Sequence, residues 1–133
     1  MRLSPQIIQR VVGRPVVHFS GSGRQRALGR VELRNPATIF PLLGDFLGDP
    51  VSVTLRDISA ETIGLVSPQA LMPSSSLLVS IPLSDSELLA IRCRVMRCVR
   101  LDDGQFALAA QFVSVVDSQT IYDVPSSRLR LSS

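Results

Sequence analysis

The sequence of 133 residues contains no lysine and no tryptophan, and only one histidine, one tyrosine and two cysteines. His18 is remote from Cys93 and Cys98, and the cysteines lack CxxC spacing, so the sequence does not predict a metal site. The glycines at positions 21 and 23 lack both the third glycine of a dinucleotide fingerprint and the Gly-Lys-Ser/Thr of a P-loop. A nucleophile elbow is also missing. These absences argue against an enzyme.

Long apolar runs are absent as well. No segment approaches the roughly 20 apolar residues that span a bilayer, and residues 1–6 lack the apolar core of a signal peptide. We therefore expect no membrane insertion. Cys93 and Cys98 are five positions apart on one predicted strand, which would place them on opposite faces, where they cannot pair. Two lone thiols are typical of a reducing compartment, so we expect a cytoplasmic protein.

The basic residues are all arginine, and they cluster near the N-terminus. Residues 1–34 contain seven arginines and one acid, Glu32, whereas residues 35–133 contain seven arginines and ten acids. Arginine presents a planar fork that binds phosphate in a bidentate manner and stacks on flat rings. Arginine-biased codon use would explain the composition but does not explain the clustering. The cluster therefore indicates an anionic partner. Because aromatic residues are few, we do not expect that partner to be a nucleic acid polymer.

Alternating apolar residues predict six short strands between turn signals, a pattern typical of an antiparallel barrel or sandwich. The predicted strands cover residues 37–43, 51–56, 62–66, 76–82, 88–101 and 106–112. The alternation becomes irregular near Met96, which predicts a bulge or bend, and residues 102–104 predict a hairpin turn. Ahead of the strands, Ser4 as N-cap and Pro5 at the first helical position predict a helix over residues 5–12.

Polar side chains end the second predicted strand. Asp57 and Ser59 follow the alternating residues 51–56, so a carboxylate and a hydroxyl lie where the strand leaves the sheet. Upstream, a glycine-containing segment carries four arginines: Arg24, Arg26, Arg30 and Arg34. Acceptors that face a guanidinium-rich arm indicate a ligand that is anionic and also carries hydrogen-bond donors. A nucleotide fits that description.

Two motifs in this arrangement resemble those of the PilZ domain, a bacterial module whose members typically bind cyclic di-GMP. The family's RxxxR motif corresponds to Arg26 and Arg30, ahead of the strands. Its DxSxxG motif corresponds to Asp57, Ser59 and Thr62. RxxxR alone is nearly worthless as a signal, but paired with DxS at this distance and inside this order of strands it is moderately specific.

The resemblance covers about two thirds of the chain and implies its fold. It implies an all-β structure, a six-stranded antiparallel β-barrel of PilZ type with a flexible N-terminal arm and a short C-terminal helical turn. The implied division is an N-terminal extension and linker over residues 1–23, the barrel domain over residues 24–118 and a C-terminal tail over residues 119–133.

Two other arginine pairs also have RxxxR spacing. One pair, Arg10 and Arg14, lies across the glycine-rich connector from the barrel. The other pair is Arg30 and Arg34. The family usually has a proline a few residues after the second arginine, leading into the first strand, and Pro36 suits Arg30 better than Arg34. We therefore assign the RxxxR motif to Arg26 and Arg30.

The second motif departs from the family at its last position, where Thr62 stands in place of glycine. Glycine permits a positive φ or the close approach of a flat ligand to the backbone, and threonine tolerates a positive φ poorly. Gly64 could take this role if the turn contains two extra residues. Otherwise the ligand surface is altered and binding is weakened. Ala109, where the family often has glycine, is a minor departure.

The resemblance implies a non-catalytic signalling domain that binds cyclic di-GMP and needs no cofactor. Arg26 and Arg30 would bind phosphate and guanine, and Asp57 would accept hydrogen bonds from guanine. Ser59 would add a hydroxyl contact, and Thr62 would complete the ligand surface. Ligand binding would order the N-terminal arm as a switch and signal to a downstream protein partner.

Less specific interpretations stay open. Asp57 and Ser59 could serve only to cap a turn, and the arginines could form a solvated arm. The protein would then be a degenerate PilZ adaptor that does not bind the nucleotide and acts through protein contacts. Thr62 is the residue that favours this alternative.

Overall fold

The computed structural model describes residues 1–13, 30–44 and 46–116. Most of the predicted flexible arm, including Arg26, and the predicted C-terminal helical turn lie outside the described residues. The last part of that arm, residues 31–34, belongs to the first strand, which corrects the expectation that it is loose. The described part contains one helix, α1 (Pro5–Val12), and seven strands. The strands are β1 (Val31–Leu43), β2 (Phe46–Leu47), β3 (Val51–Ile58), β4 (Thr62–Ser67), β5 (Ser76–Pro82), β6 (Leu88–Arg100) and β7 (Phe106–Val116).

Six of these strands form a closed antiparallel barrel. They pair in the order β1-β3-β4-β7-β6-β5, and β5 pairs back to β1, which completes the ring. The two-residue strand β2 pairs with the end of β1 and is additional to the ring. The prediction of a six-stranded antiparallel barrel is therefore confirmed.

The first strand begins six residues earlier than predicted, at Val31 rather than Ala37. Its register with β3 shifts between Glu32 and Asn35, and the strand also contains Pro36, a residue type that is rare inside sheets. Both features interrupt the apolar alternation on which the prediction relied.

Strand alternation directs one set of side chains into the barrel. The buried core includes Ile39, Leu55, Ile63, Leu65, Val79, Ile91, Leu108 and Phe112. A smaller cluster on the opposite side of the sheet contains Phe40, Leu47, Leu78 and Ala90. Since Leu47 belongs to β2, this short strand covers part of the outer surface of the barrel.

The N-terminal helix closes one end of the barrel. Ser4 Oγ accepts a hydrogen bond from the backbone N–H of Ile7 at 3.2 Å, and Gly13 ends the helix with a φ of 80°. The predicted helix and its N-cap are thus confirmed. The segment contributes Leu3, Ile8, Val11 and Val12 to the barrel core. Because the inside of a closed barrel is reached at its ends, α1 covers one of them.

Polar contacts also hold the helix in place. Asn35 Nδ2 donates to the carbonyl oxygen of Val11 at 3.0 Å. The Arg10 guanidinium donates to the Glu87 carboxylate, and this hydrogen bond lowers the pKa of Glu87 below its usual value. Helix α1 therefore contacts the barrel through both its apolar face and its polar edge.

A bulge on β3 turns two consecutive side chains to the outer surface. The pairing of β3 with β4 shifts register between Leu55 and Asp57. Leu55 and Ile58 are both buried in the core, although a regular strand would send side chains three positions apart to opposite faces. Arg56 and Asp57 between them therefore both lie on the outer side of the barrel.

A second bulge lies on β6, where the sequence predicted an irregularity. The pairing of β6 with β7 shifts register between Val95 and Arg97. Val95 is buried, and Cys98 packs against the same core. Met96 and Arg97 are both exposed, so this bulge also turns two neighbouring side chains outward.

The β6 bulge corrects the expectation about the cysteines. Cys93 lies in the core and Cys98 packs against it, so both lie on the inner side of the strand rather than on opposite faces. The prediction assumed a regular strand, and the extra residue at the bulge reverses the alternation. Both cysteines are free thiols. Burial raises the pKa of Cys93 to about 12.

We expect α1 to contribute substantially to stability. Ile8→Ala should lower the free energy of unfolding by about 2–5 kcal/mol, because it leaves a cavity where the helix meets the core. Urea denaturation measures this change. Gln6→Ala, at an exposed position of the same helix, is the matched control and should change stability by less than about 0.5 kcal/mol. Equal effects of the two substitutions would show that the helix does not pack on the barrel.

The two thiols should differ in reactivity in the folded protein. At pH 8 a pKa of about 12 leaves Cys93 almost entirely protonated, and the thiolate is the reactive form. We therefore expect iodoacetamide to label the half-buried Cys98 well before Cys93. Peptide mass spectrometry reads the two sites separately, and labelling in denaturant is the control in which the difference disappears. Equal labelling of the native protein would contradict the position of Cys93 in the core.

Candidate functional site

Two of the predicted site residues meet at the surface of the barrel. Arg30, directly before β1, donates from Nη1 to Asp57 Oδ1 at 2.7 Å. The side chain of Asp57 is 16% exposed, whereas that of Arg30 is 57% exposed. The carboxylate is thus held against the sheet, while the guanidinium remains accessible to solvent and to a ligand.

Gly64 makes room for this carboxylate. It lies on β4 opposite Asp57 in the strand register. A Cβ atom on Gly64 would lie 2.6 Å from Asp57 Oδ1 and 2.8 Å from Oδ2, so any side chain at this position would displace the carboxylate. The aspartate therefore lies over the backbone of its neighbour. Sequence reasoning considered Gly64 only as a turn residue and missed this contact.

The turn between β3 and β4 is tight. The backbone N–H of Ser59 donates to the carbonyl oxygen of Thr62 at 2.9 Å. Ser59 Oγ accepts from the N–H of Thr62 at 3.0 Å and lies 2.8 Å from its hydroxyl. Gly64 lies beyond this turn, inside β4. Among the non-glycine residues that the structure describes, the positive φ belongs to Ser74, so Thr62 is not strained.

The tip of this turn also contacts neighbouring elements. The N–H of Leu3 donates to the carbonyl oxygen of Ala60 at 2.7 Å, and the N–H of Phe112 donates to that of Glu61 at 2.9 Å. Arg2 forms a salt bridge of 2.8 Å with the carboxylate of Glu61. The N-terminal segment and β7 therefore both fix the turn that follows Asp57.

A groove begins at Asp57 and crosses the outer face of the barrel. Asp57 pairs with Gly64, Gly64 with Ala109, and Ala109 with Arg97, on four adjacent strands. With about 4.8 Å between neighbouring strands, this row spans about 14 Å. The groove has a volume of about 400 Å³. Glycine and alanine form the floor between its charged sides, and Val99, Leu101 and Leu108 also line it.

The groove is rich in arginine. Its lining includes Arg30, Arg56 and Arg97 together with Asp57. Within the described ranges, the side chains of Arg56 and Arg97 form no hydrogen bond or ion pair. A second recess adjoins the groove, shares Arg56 and Asp57 with it, and extends along β1 to Arg34. The arrangement suits an anion that also offers donors to a carboxylate.

The five predicted site residues thus occupy different places in the structure. Arg30 and Asp57 are in contact at the edge of the groove, and Ser59 and Thr62 hold the adjoining turn. Arg26 lies outside the described residues. The sequence motifs did not indicate Arg56 or Arg97 as site residues. The irregular alternation at residues 96–98 was the one signal that distinguished Arg97.

The described part of the chain contains no helix long and apolar enough to cross a membrane. It also contains no group of three or more histidine, cysteine, aspartate or glutamate side chains that could hold a metal ion.

Comparison with solved structures identifies a similar fold. The structure of the Bacillus subtilis inhibitor of motility (MotI/DgrA) matches with a TM-score of 0.53 and 14% sequence identity. The match covers 68% of this chain and 44% of that one, so the chain spans less than half the length of this structural relative. At this identity the likeness concerns the fold alone. A comparison with curated proteins found no match.

Comparison with protein-family models gives a match to the PilZ domain over residues 24–123. This range covers about three quarters of the chain and includes every strand of the barrel. The chain belongs to the PilZ domain family.

Proposed function

We propose that this protein is a non-catalytic receptor that binds cyclic di-GMP in the arginine-lined groove and orders the residues before Arg30 as a switch. PilZ is a cyclic di-GMP-binding family. The observation that carries the proposal for this chain is the contact of 2.7 Å between Arg30 and Asp57, made at the edge of a groove with two further arginines. It joins one residue from each of the two motifs.

The chemistry of the ligand matches that of the groove. Cyclic di-GMP carries two phosphates, which suit bidentate arginine, and two guanines. The O6 and N7 atoms of guanine accept from arginine, while its N–H groups donate to a carboxylate such as Asp57. The Asp57 carboxylate covers Gly64, and the half-buried Ala109 beside it has only a methyl group, which leaves room for a flat ring. Each proposed contact therefore pairs a group of the ligand with its chemical complement.

Ser59 and Thr62 act in this proposal by positioning. Their hydroxyls lie 2.8 Å apart, and the Ser59 oxygen also accepts from the backbone of Thr62. These bonds fix the turn directly after Asp57. Because Thr62 has no positive φ, glycine is not required there for conformational reasons. Threonine in the last motif position is thus compatible with a formed site.

The proposed switch rests on a balance of energies. An ion pair whose arginine is more than half exposed, such as Arg30–Asp57, contributes on the order of 1 kcal/mol, so a ligand can compete for the guanidinium. Each charge-assisted bond to the ligand contributes on the order of 1.5–3 kcal/mol, and fixing a residue costs about 1–2 kcal/mol. Three or four bonds would offset the ordering of the few residues that join Arg26 to Arg30. Ligand binding would then decide the order of that segment.

A second candidate function is a degenerate adaptor that binds a protein partner and no nucleotide. The mutual hydrogen bonds of Ser59 and Thr62 favour it, because they occupy hydroxyls that the motif was expected to offer to ligand. Under either function we propose a downstream protein partner. We also propose a cytoplasmic location, which the two free thiols support.

Isothermal titration calorimetry with cyclic di-GMP separates the two functions. We expect binding by the wild type and a loss of about 10- to 150-fold in affinity for Arg30→Ala and for Asp57→Ala, the equivalent of one charge-assisted bond. Arg26→Ala should lose affinity for cyclic di-GMP to a similar extent. Arg94→Ala is the matched control, since Arg94 is exposed on β6 outside the groove lining, and should bind normally. The absence of binding heat in the wild type would favour the adaptor.

Gly64→Ala should weaken binding by displacing the carboxylate of Asp57. The added methyl group would lie 2.6 Å from Oδ1, so the carboxylate must rotate away from Arg30. We expect an affinity loss of about tenfold with a change in stability below about 1 kcal/mol, because alanine is tolerated in strands at least as well as glycine.

A double-mutant cycle tests this mechanism. In an Asp57→Ala background the added methyl group meets no carboxylate, so Gly64→Ala should cause little further loss of affinity. Calorimetry measures the four affinities, and urea denaturation measures the four stabilities. Equal losses in both backgrounds would mean that Gly64 acts independently of Asp57.

A further inference from the structure

We propose that Arg97 is a phosphate-binding residue of the groove and that the bulge on β6 serves to place it there. The inference rests on the proposed function, because it adds a ligand contact to the same groove. It places this ligand contact on the side of the groove opposite Asp57, in a region that lies outside the RxxxR and DxS motifs.

The bulge decides the direction of Arg97. In a regular strand, residues two positions apart share a face, so Arg97 would follow Val95 into the core. Burying an unpaired guanidinium there would cost several kcal/mol. The register shift between these two residues instead leaves Arg97 exposed, and Cys98 then returns to the core. The irregularity thus turns one side chain outward without interrupting the packing on either side of it.

The position of Arg97 is complementary to that of Asp57. Arg97 pairs with Ala109, and Ala109 pairs with Gly64, which lies against the carboxylate. The Asp57 carboxylate covers Gly64, and Ala109 has only a methyl group, so a ligand resting on Ala109 would lie between the carboxylate and the guanidinium of Arg97. A bulge beside such a floor is a common way to direct a side chain into a site.

The charge of the groove matches a ligand with two negative charges. Three arginines and one aspartate line it, an excess of two positive charges. Asp57 pairs with Arg30. Within the described residues Arg97 has no partner, and an unpaired arginine at a groove is available to a phosphate. Cyclic di-GMP has one negative charge on each of its two phosphates.

Arg94 and Arg100 provide an internal comparison. Both are exposed on the same strand, yet neither lines the groove or the adjoining recess. They therefore represent the solvated arginine that Arg97 would be if its position had no function. Arg97 thus differs from the two other arginines because it lines the groove.

Calorimetry with cyclic di-GMP on three variants tests the inference. We expect Arg97→Ala to bind about tenfold more weakly than the wild type and Arg94→Ala to bind equally well. Arg97→Lys should bind at an intermediate level, because lysine keeps the charge and loses the bidentate fork. The ³¹P resonance of the bound ligand should shift on binding to the wild type and shift less on binding to Arg97→Ala.

The outcomes separate this inference from the proposed function. If the wild type binds and Arg97→Ala matches Arg94→Ala, Arg97 is not a ligand contact and the inference is overturned, while the function stands. If the wild type does not bind, both fall. Thermal unfolding checks the fold of each variant. Arg97→Gln, which keeps most of the side-chain length, should reproduce the weakened binding if Arg97→Ala proves unstable.

Discussion

A closed barrel allows each strand only two directions for its side chains, and this constraint determines where a polar site can form. Leu55 and Ile58 both point into the core, and the bulge between them is what leaves Asp57 at the surface. Without it, the register of the strand would carry the carboxylate inward with Leu55, at a cost of several kcal/mol for an unpaired buried charge. The contact with Arg30, and the groove that starts from it, depend on that one extra residue.

The same constraint accounts for the small residues of the groove floor. Gly64 is directly opposite Asp57, so the carboxylate can lie across the neighbouring strand only where that strand has no side chain. Glycine inside a strand is destabilising by roughly 0.5–1 kcal/mol relative to alanine. The structure retains it at the position where a methyl group would collide with the carboxylate. A local loss of stability of this kind is typical of a functional position.

The sequence predicted the elements that follow regular patterns. Ser4 and Pro5 determined the start of α1, and strict alternation identified the strands that build the barrel. The errors arose where a bulge or a proline interrupts the alternation. They concern the start of β1 and the faces of the two cysteines. Because pairing partners far apart in sequence decide where a bulge forms, one strand read alone cannot reveal which side chains it redirects.

The residues of the site also divide into those that the sequence predicted and those that it did not. The motifs pointed to Arg30 and Asp57, and the structure brings these residues into contact across 27 positions of sequence. Arg97 and Gly64 could not be assigned in the same way, because their significance comes from the register between β3, β4, β7 and β6. At Thr62 the sequence suggested a problem that the structure does not contain. Its departure from glycine raised the question of backbone strain, and the backbone of the turn shows none.

The two halves of the groove differ in how firmly their side chains are held. The acidic half is fixed, because the turn after Asp57 is bonded internally through Ser59 and externally by the N-terminal segment and β7. The basic half consists of long side chains, and Arg30 remains more than half exposed despite its ion pair. Ordering such side chains costs up to about 2 kcal/mol each in lost rotamers. In the proposed complex the side-chain part of the entropic cost of binding therefore falls on the arginines, while the carboxylate is already in place.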